Sequence, residues 1–210
     1  MKNMIITTQK EAGVSDEAIL NLINESYRVW AENGLDGPFM HYTLEEFRRV
    51  TSRAKVFVAI DAETGKLVGT HTFHAKRKQN CVHGSLLAVA PEARKQGIAT
   101  RMLEVETTYI RKAGFEYMRG FTAVSATWSV RWHLRNGYLI IGYRRSPHEN
   151  HYTYVFRKQL VPSLLWDSAL YCRCRFLLSY AITRLKRDRA GNLTLLGRVG
   201  KGIQDRKSPK

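Results

Sequence analysis

The chain has 210 residues, 44% of them hydrophobic and 10% aromatic, which is enough apolar material to exclude a wholly disordered chain. Its 34 Lys and Arg against 18 Asp and Glu give a net charge of +16, which points to an anionic partner or ligand and specifies no particular fold. Three cysteines are too few for a secreted disulfide framework. Because no apolar run is long enough for a signal peptide or a membrane span, we expect a cytoplasmic protein.

Helix and strand signals alternate in the first third of the chain. Ser15 and the acidic residues that follow it predict a helix to about Trp30, because acids in the first turn suit the helix dipole. Thr43 and Glu46 form a capping box, which predicts a second, shorter helix. Two strands joined by a hairpin turn are predicted next, at 55–60 and 67–75.

The middle of the chain holds a strand, a basic turn and a long helix. The strand at 82–90 ends before Pro91, and the helix that follows runs to about Lys112 with its apolar residues on one face, as in a helix packed on a sheet. The remaining elements are predicted to be strands at 115–123, 138–143 and 151–159 and a short helix at 128–135. This order predicts one mixed α/β (α+β) domain over residues 1–160.

Residues 161–210 have a different character. They hold 11 Lys and Arg against 3 Asp and Glu, a net charge of +8, and predict a basic helical extension over 163–188 with a flexible end. One alternative is that the apolar residues of this helix dock on the domain. The other is that the helix rests on an anionic membrane surface, which would make the protein peripheral to the membrane and would suit an acyl carrier protein as donor.

The segment from Val89 to Thr100 carries the most information about function. It consists of a strand, a turn with Arg94 and Lys95, and a helix that begins near Gly97. Free N–H groups at a helix N-terminus bind anions, and the small residues Gly97 and Ala99 leave room for a phosphate. A tight strand-to-helix turn with no ligand would have the same residues, so the choice depends on what else the sequence contains.

Two blocks of the sequence, taken together, supply that context. Arg94-x-x-Gly97-x-Ala99, preceded by Val89-x-Pro91, resembles the acyl-CoA pyrophosphate signature of the GNAT superfamily of N-acetyltransferases. Residues 129–138 resemble a later helix-to-strand block of the same family, which usually ends in Tyr-x-x-x-Gly-Phe. The resemblance covers residues 4–160 and implies a GNAT-like fold, with a mixed, mostly antiparallel central sheet flanked by helices.

The resemblance implies acetyl-CoA as the acyl donor and no metal. The backbone of three strand residues would hold the pantetheine arm and polarise the thioester carbonyl: Leu87, Ala88 and Val89. Arg94 and Lys95 would add positive charge near the phosphates. The pyrophosphate would bind backbone amides in the turn and the first helical turn: Gln96, Gly97, Ile98, Ala99 and Thr100.

The general acid departs from the family pattern, because His133 stands where the family usually has a tyrosine. An imidazolium with a pKa near the usual value of about 6.5 suits acid catalysis at neutral pH. The alternative is that His133 packs on its helix and that Tyr138 or another tyrosine is the acid.

The general base is assigned to His83. Family members often carry a glutamate on the strand before the turn, and the comparable positions in this sequence are His83 and Ser85. It would act directly or through a water molecule. A solvated histidine at a sheet edge would give the same pattern. Three other residues lie on segments that would border the acceptor groove: Glu25, Tyr27 and Glu149.

These residues predict a monomeric or homodimeric enzyme that moves an acetyl group from acetyl-CoA to an amine of a small molecule or amino sugar. The competing hypothesis is a non-catalytic basic module that binds nucleic acid or an anionic surface. Nucleic acid is disfavoured because the sequence shows no helix-turn-helix and no interleaved aromatic and basic strand. A zinc site is disfavoured because paired ligand spacing is absent from its candidate ligands: His71, His74, Cys81 and His83.

Overall fold

The computed structural model describes residues 3–145, 150–166 and 168–185, so Glu149 and the end of the basic extension lie outside the described residues. The strands are β1 (Met4–Thr8), β2 (Ala54–Asp61), β3 (Leu67–Lys76), β4 (Cys81–Val89), β5 (Tyr117–Ala123), β6 (Leu139–Arg145) and β7 (Tyr152–Gln159). The helices are α1 (Gln9–Ala12), α2 (Asp16–Glu32), α3 (Leu44–Thr51), α4 (Ile98–Lys112), α5 (Thr127–Arg135) and α6 (Ala169–Leu185).

All seven strands belong to one sheet, in the order β1-β2-β3-β4-β5-β7-β6. Every neighbouring pair is antiparallel except β4 and β5, which run parallel. Helices α2 and α3 cover one face of the sheet, here called the α2 face, and α4 and α5 cover the other, the α4 face. The predicted fold, a mixed and mostly antiparallel sheet flanked by helices, is confirmed.

Local sequence signals account for the helix starts. The Ser15 hydroxyl accepts a hydrogen bond from the amide of Ala18 (3.2 Å) and begins α2. Thr43 and Glu46 form the predicted capping box at α3. A second capping box, between Thr8 and Glu11, begins the short helix α1, which the sequence analysis did not predict although the spacing is the same.

The junction between β4 and β5 is short. The two strands pair only from Cys81 to His83 on β4 and from Tyr117 to Arg119 on β5. Beyond these rungs β4 carries a bulge, because the β3–β4 register shifts between Thr70 and Thr72 and Leu86 takes a positive φ of 54°. The two strands are therefore unpaired beyond these rungs, and the space between 84–89 of β4 and 120–123 of β5 is called the gap below.

Helix α6 docks on β6, the last strand of the sheet. The Ser179 hydroxyl accepts a hydrogen bond from the amide of Tyr143 and donates one to its carbonyl, both at 2.9 Å, and the Thr183 hydroxyl donates to the same carbonyl at 2.8 Å. These contacts match the docking alternative for residues 169–185. The domain boundary at residue 160 and a membrane surface or acyl carrier protein as partner stay predictions.

The described ranges contain no helix that is long and apolar enough to cross a membrane. The cytoplasmic location stays a prediction.

Candidate active site

The N-terminus of α4 has the geometry of an anion site. Lys95 and Gly97 both have left-handed backbone conformations, with φ of 61° and 77°, and they turn the chain from β4 into the helix. Gly97 is the N-cap residue and makes no side-chain capping hydrogen bond to the helix. Apart from its chain neighbours, nothing lies within 4 Å of the place where a Cβ of Gly97 would be. The N–H groups of a first helical turn have no partner within the helix and can bind an anion.

Arg94 points away from this site. Its Nη2 donates to the carbonyl of Ser26 on α2 (2.7 Å), and its Nε donates to the carbonyl of Val89 at the end of β4 (3.4 Å). The guanidinium therefore ties the turn to α2 and β4. The phosphate contact that the sequence suggests for Arg94 stays a prediction, whereas Lys95 and Gln96 are exposed beside the helix N-terminus.

We expect Arg94→Ala to lower the free energy of unfolding by about 1–2 kcal/mol, because hydrogen bonds from a charged donor contribute more than neutral ones. Lys95→Ala, at an exposed position, is the matched control and should stay within about 0.5 kcal/mol of the wild type. Urea unfolding followed by circular dichroism measures both. Equal stability of the two variants would contradict a structural role for Arg94.

Two consecutive residues of α2, Ser26 and Tyr27, donate hydrogen bonds to β4, the strand on one side of the gap. The Ser26 hydroxyl donates to the carbonyl of Val89 (3.1 Å), and the Tyr27 hydroxyl donates to the carbonyl of Leu87 (3.2 Å). Burial raises the pKa of Tyr27, so its hydroxyl is neutral and acts as a donor. Tyr27, one of the base candidates from the sequence, thus positions the strand that was predicted to bind the pantetheine arm.

The imidazole of His133 is packed into the α4 face. It is 8% exposed and stacks on Phe156 with ring centroids 4.4 Å apart, and its Nδ1 donates to the carbonyl of Ser129 (2.8 Å). Burial lowers the pKa of His133 to about 4, so the ring is neutral at pH 7. These surroundings favour the packing alternative, and the role of His133 as general acid stays a prediction. Tyr138, the alternative acid, is 3% exposed and packs edge-on to the same ring.

Two strand glycines lie one residue beyond the last rung between β4 and β5, and each makes room for a histidine. A Cβ on Gly84 would come within 2.9 Å of His71 Nε2, and a Cβ on Gly120 would come within 2.8 Å of His133 Nε2. Glycine inside a strand often marks such a close approach. A glycine inside each of two predicted strands is the sequence signal from which this close approach could have been predicted.

His83 lies on the α2 face at the last rung of the junction. It is directly opposite Arg119 of β5 and His74 of β3, and its ring meets the edge of Phe121 at 5.6 Å. Burial, followed by the positive charge of Arg119, lowers the pKa of His83 to about 4. The imidazole is therefore neutral at pH 7 and able to accept a proton, and its role as base stays a prediction.

The other candidates are spread across the molecule. Glu25 is exposed on α2 beside Arg28 (3.6 Å). His71 lies on the α4 face, where its Nδ1 contacts the buried Glu106 carboxylate at 3.0 Å, whereas His74 and His83 lie on the α2 face. In the part of the chain that the structure describes, no group of three His, Cys, Asp or Glu residues is placed to hold a metal ion.

The sequence profile described as the Acetyltransferase (GNAT) family matches residues 17–138, a range that includes the β4–β5 junction, the turn and α4. The chain belongs to the GNAT family. Among curated proteins, none is significantly similar in sequence.

Solved structures share the GNAT fold with this chain. An N-acetyltransferase from Staphylococcus aureus Mu50 superposes with a TM-score of 0.59 at 19% identity, over 76% of this chain and 99% of the other. The ribosomal-protein-S18-alanine N-acetyltransferase from Escherichia coli gives 0.59 at 12% identity, over 78% and 96%. The yncA structure from Salmonella typhimurium, which holds its cofactor acetyl-CoA, gives 0.58 at 18% identity, over 77% and 96%. At these identities the likeness concerns the fold.

Proposed function

We propose that this GNAT-family chain transfers an acetyl group from acetyl-CoA to the amine of a small molecule or amino sugar. The observation that carries the proposal is the gap between β4 and β5, which leads to an uncapped helix N-terminus with open space over Gly97. A gap lined by strand backbone suits an extended thioester arm, and the free amides suit a pyrophosphate.

The residues present fit acetyl-CoA as donor. The amides from Gln96 to Thr100 would hold the pyrophosphate, with Lys95 beside them, and the backbone from Leu87 to Val89 would border the pantetheine arm. Ser26 and Tyr27 fix the two carbonyls of that strand by hydrogen bonds, which orients the neighbouring amides before the donor binds. When bound, the donor supplies an acyl group activated as a thioester.

Transfer by direct attack needs one proton to be moved. The amine nitrogen bonds to the carbonyl carbon as the carbon–sulfur bond breaks, and the proton lost by nitrogen is balanced by the proton gained at sulfur. We assign acceptance of the amine proton to His83, directly or through a water molecule, because its imidazole is neutral and lies at the point where the strands diverge. Nearby positive charge also favours the neutral, nucleophilic form of the amine.

Calorimetric titration with acetyl-CoA, followed by a free-thiol assay with a panel of amines and amino sugars, tests the proposal. We expect acetyl-CoA to bind and at least one amine to release coenzyme A above the rate of hydrolysis. The same panel with His83→Gln should show lower turnover with unchanged acetyl-CoA affinity, because a general base acts on the chemical step. A chain that binds no acetyl-CoA at high micromolar concentration would instead be the non-catalytic basic module.

A further inference from the structure

The α2 face around the β4–β5 junction carries a set of polar side chains that the proposed mechanism uses only in part. Thr72 of β3 lies directly opposite Ser85 of β4, and His83 of β4 lies directly opposite Arg119 of β5. Residues directly opposite each other in a sheet share a face. These four residues are called the junction floor below. They lie on one face of β3, β4 and β5, at β4 positions two residues apart, where the β4–β5 pairing ends.

Each residue of the junction floor has a buried polar atom with no hydrogen-bond partner: Thr72 Oγ1, His83 Nε2, Ser85 Oγ and Arg119 Nε. Thr72 is fully buried. Buried polar atoms are almost always paired in folded proteins, because an unpaired one loses its interaction with water and gains nothing in return. Four such atoms on the same face of three adjacent strands indicate that polar groups from outside the chain pair with them.

The charges around the junction floor have one sign. The guanidinium of Arg144 lies 4.4 Å from the centroid of the Phe121 ring, and the ring of His83 meets Phe121 at 5.6 Å. The neighbours whose charge lowers the pKa of His83 are all basic: Arg119, Lys76, His74 and Arg144.

A third arginine borders the floor but has its hydrogen bonds and stacking partners within the chain. The Arg157 guanidinium lies 3.3 Å from the centroid of the Tyr117 ring and 3.9 Å from that of Trp166, and its Nε donates to Gln159 (2.9 Å). Arg119 differs from it. Within the part of the chain that the structure describes, Arg119 makes one hydrogen bond, a long one from Nη1 to Gln79 Oε1 (3.4 Å), and its Nε is unpaired. Arg119 is thus the cation of the floor with donor capacity left for a ligand.

We propose that the acceptor carries an anionic group, a carboxylate or a phosphate, and that this group binds the junction floor through Arg119. The inference rests on the proposed function, because it takes the acceptor to be an amine. Guanidinium N–H groups and the two hydroxyls match the oxygens of such an anion. The basic residues around the junction floor would repel a cationic acceptor such as a polyamine. A neutral acceptor would leave these positive charges without a negative partner.

Matched pairs of acceptors test the proposal by coenzyme A release and by calorimetric binding to the complex with coenzyme A, which cannot react. One pair is an amino acid and its carboxamide, and the other is glucosamine 6-phosphate and glucosamine, so that the two pairs distinguish carboxylate from phosphate. We expect the anionic member of one pair to have a kcat/KM at least about tenfold higher, since hydrogen bonds between charged groups are the strong ones. In Arg119→Gln this preference should disappear, mainly through KM.

Arg53→Gln, at an exposed arginine between α3 and β2, is the control and should keep the preference. Thermal unfolding of Arg119→Gln shows whether the variant folds, and Arg119→Lys, which keeps the charge, should recover part of the preference. Equal behaviour of both members in both pairs while acetyl-CoA still binds contradicts the inference, and so does a preference that Arg119→Gln retains. Failure of acetyl-CoA to bind at all contradicts the proposed function instead.

Discussion

Replacing Gly97 by glutamate is expected to reduce acetyl-CoA affinity by at least about 100-fold, because two effects act at the same place. The φ of 77° at Gly97 is left-handed, and a residue with a side chain is strained there by about 1–2 kcal/mol. The new side chain would also enter the open space over the first turn of α4, where its carboxylate would occupy the anion site and repel phosphates. Calorimetric titration measures the affinity.

Two variants separate strain from charge. Gly97→Ala has the strain without the carboxylate and should bind acetyl-CoA far better than Gly97→Glu. Gly114→Glu introduces the same side chain beyond the opposite end of α4, at a glycine with φ of 84° and equally open surroundings. It should lower the melting temperature and leave acetyl-CoA affinity unchanged. Unaltered affinity in Gly97→Glu would move the phosphate site away from α4.

A loss of stability between pH 6.5 and pH 4 is the second large effect that we expect. Burial lowers the pKa of His133 to about 4, whereas an unfolded chain has a histidine pKa of about 6.5. Between these values the unfolded state binds more protons than the folded state, so the free energy of unfolding falls as the pH falls. For His133 alone the loss between pH 7 and pH 4.5 is about 2–3 kcal/mol.

His133→Phe isolates this contribution, because phenylalanine keeps a ring that can stack on Phe156 and has no proton to bind. Urea unfolding at pH 7 and pH 4.5 should show a smaller difference in the variant than in the wild type by that amount. Carboxylates that titrate in the same range cancel in the comparison. An unchanged difference would mean that His133 has about the same pKa in the folded and the unfolded chain, which would contradict the effect of burial. Loss of turnover in His133→Phe would then favour His133 as the general acid.

Local signals explain why most elements could be predicted from the sequence. The start of α2 at Ser15, the capping box of α3 and the hairpin between β2 and β3 depend on residues a few positions apart, and all are present. The turn proposed as the anion site at α4 is local in the same way, since it consists of a few consecutive residues around one glycine. Helix α1 was missed although its capping box has the same form.

The chemistry of the site depends on contacts between distant parts of the chain, and these could not be predicted. His83 and Arg119 are 36 positions apart in number and become neighbours only through the parallel β4–β5 pairing. Tyr27 reaches the Leu87 carbonyl across 60 positions, and Arg94 turns back to Ser26 across 68. The position of His133 follows from the family pattern, whereas its low pKa follows from burial against Phe156.

The short β4–β5 junction has a mechanical consequence. Strands β1 to β4 and strands β5 to β7 form two half-sheets, and backbone hydrogen bonds join them over only three residues of each strand. A ligand lying in the gap would touch both halves and so act as a brace between them. A ligand at a free concentration 100 times its dissociation constant raises the free energy of unfolding by about 2.7 kcal/mol. That gain should be greatest in the amides nearest the gap, so the cofactor would serve as part of the scaffold as well as a reactant.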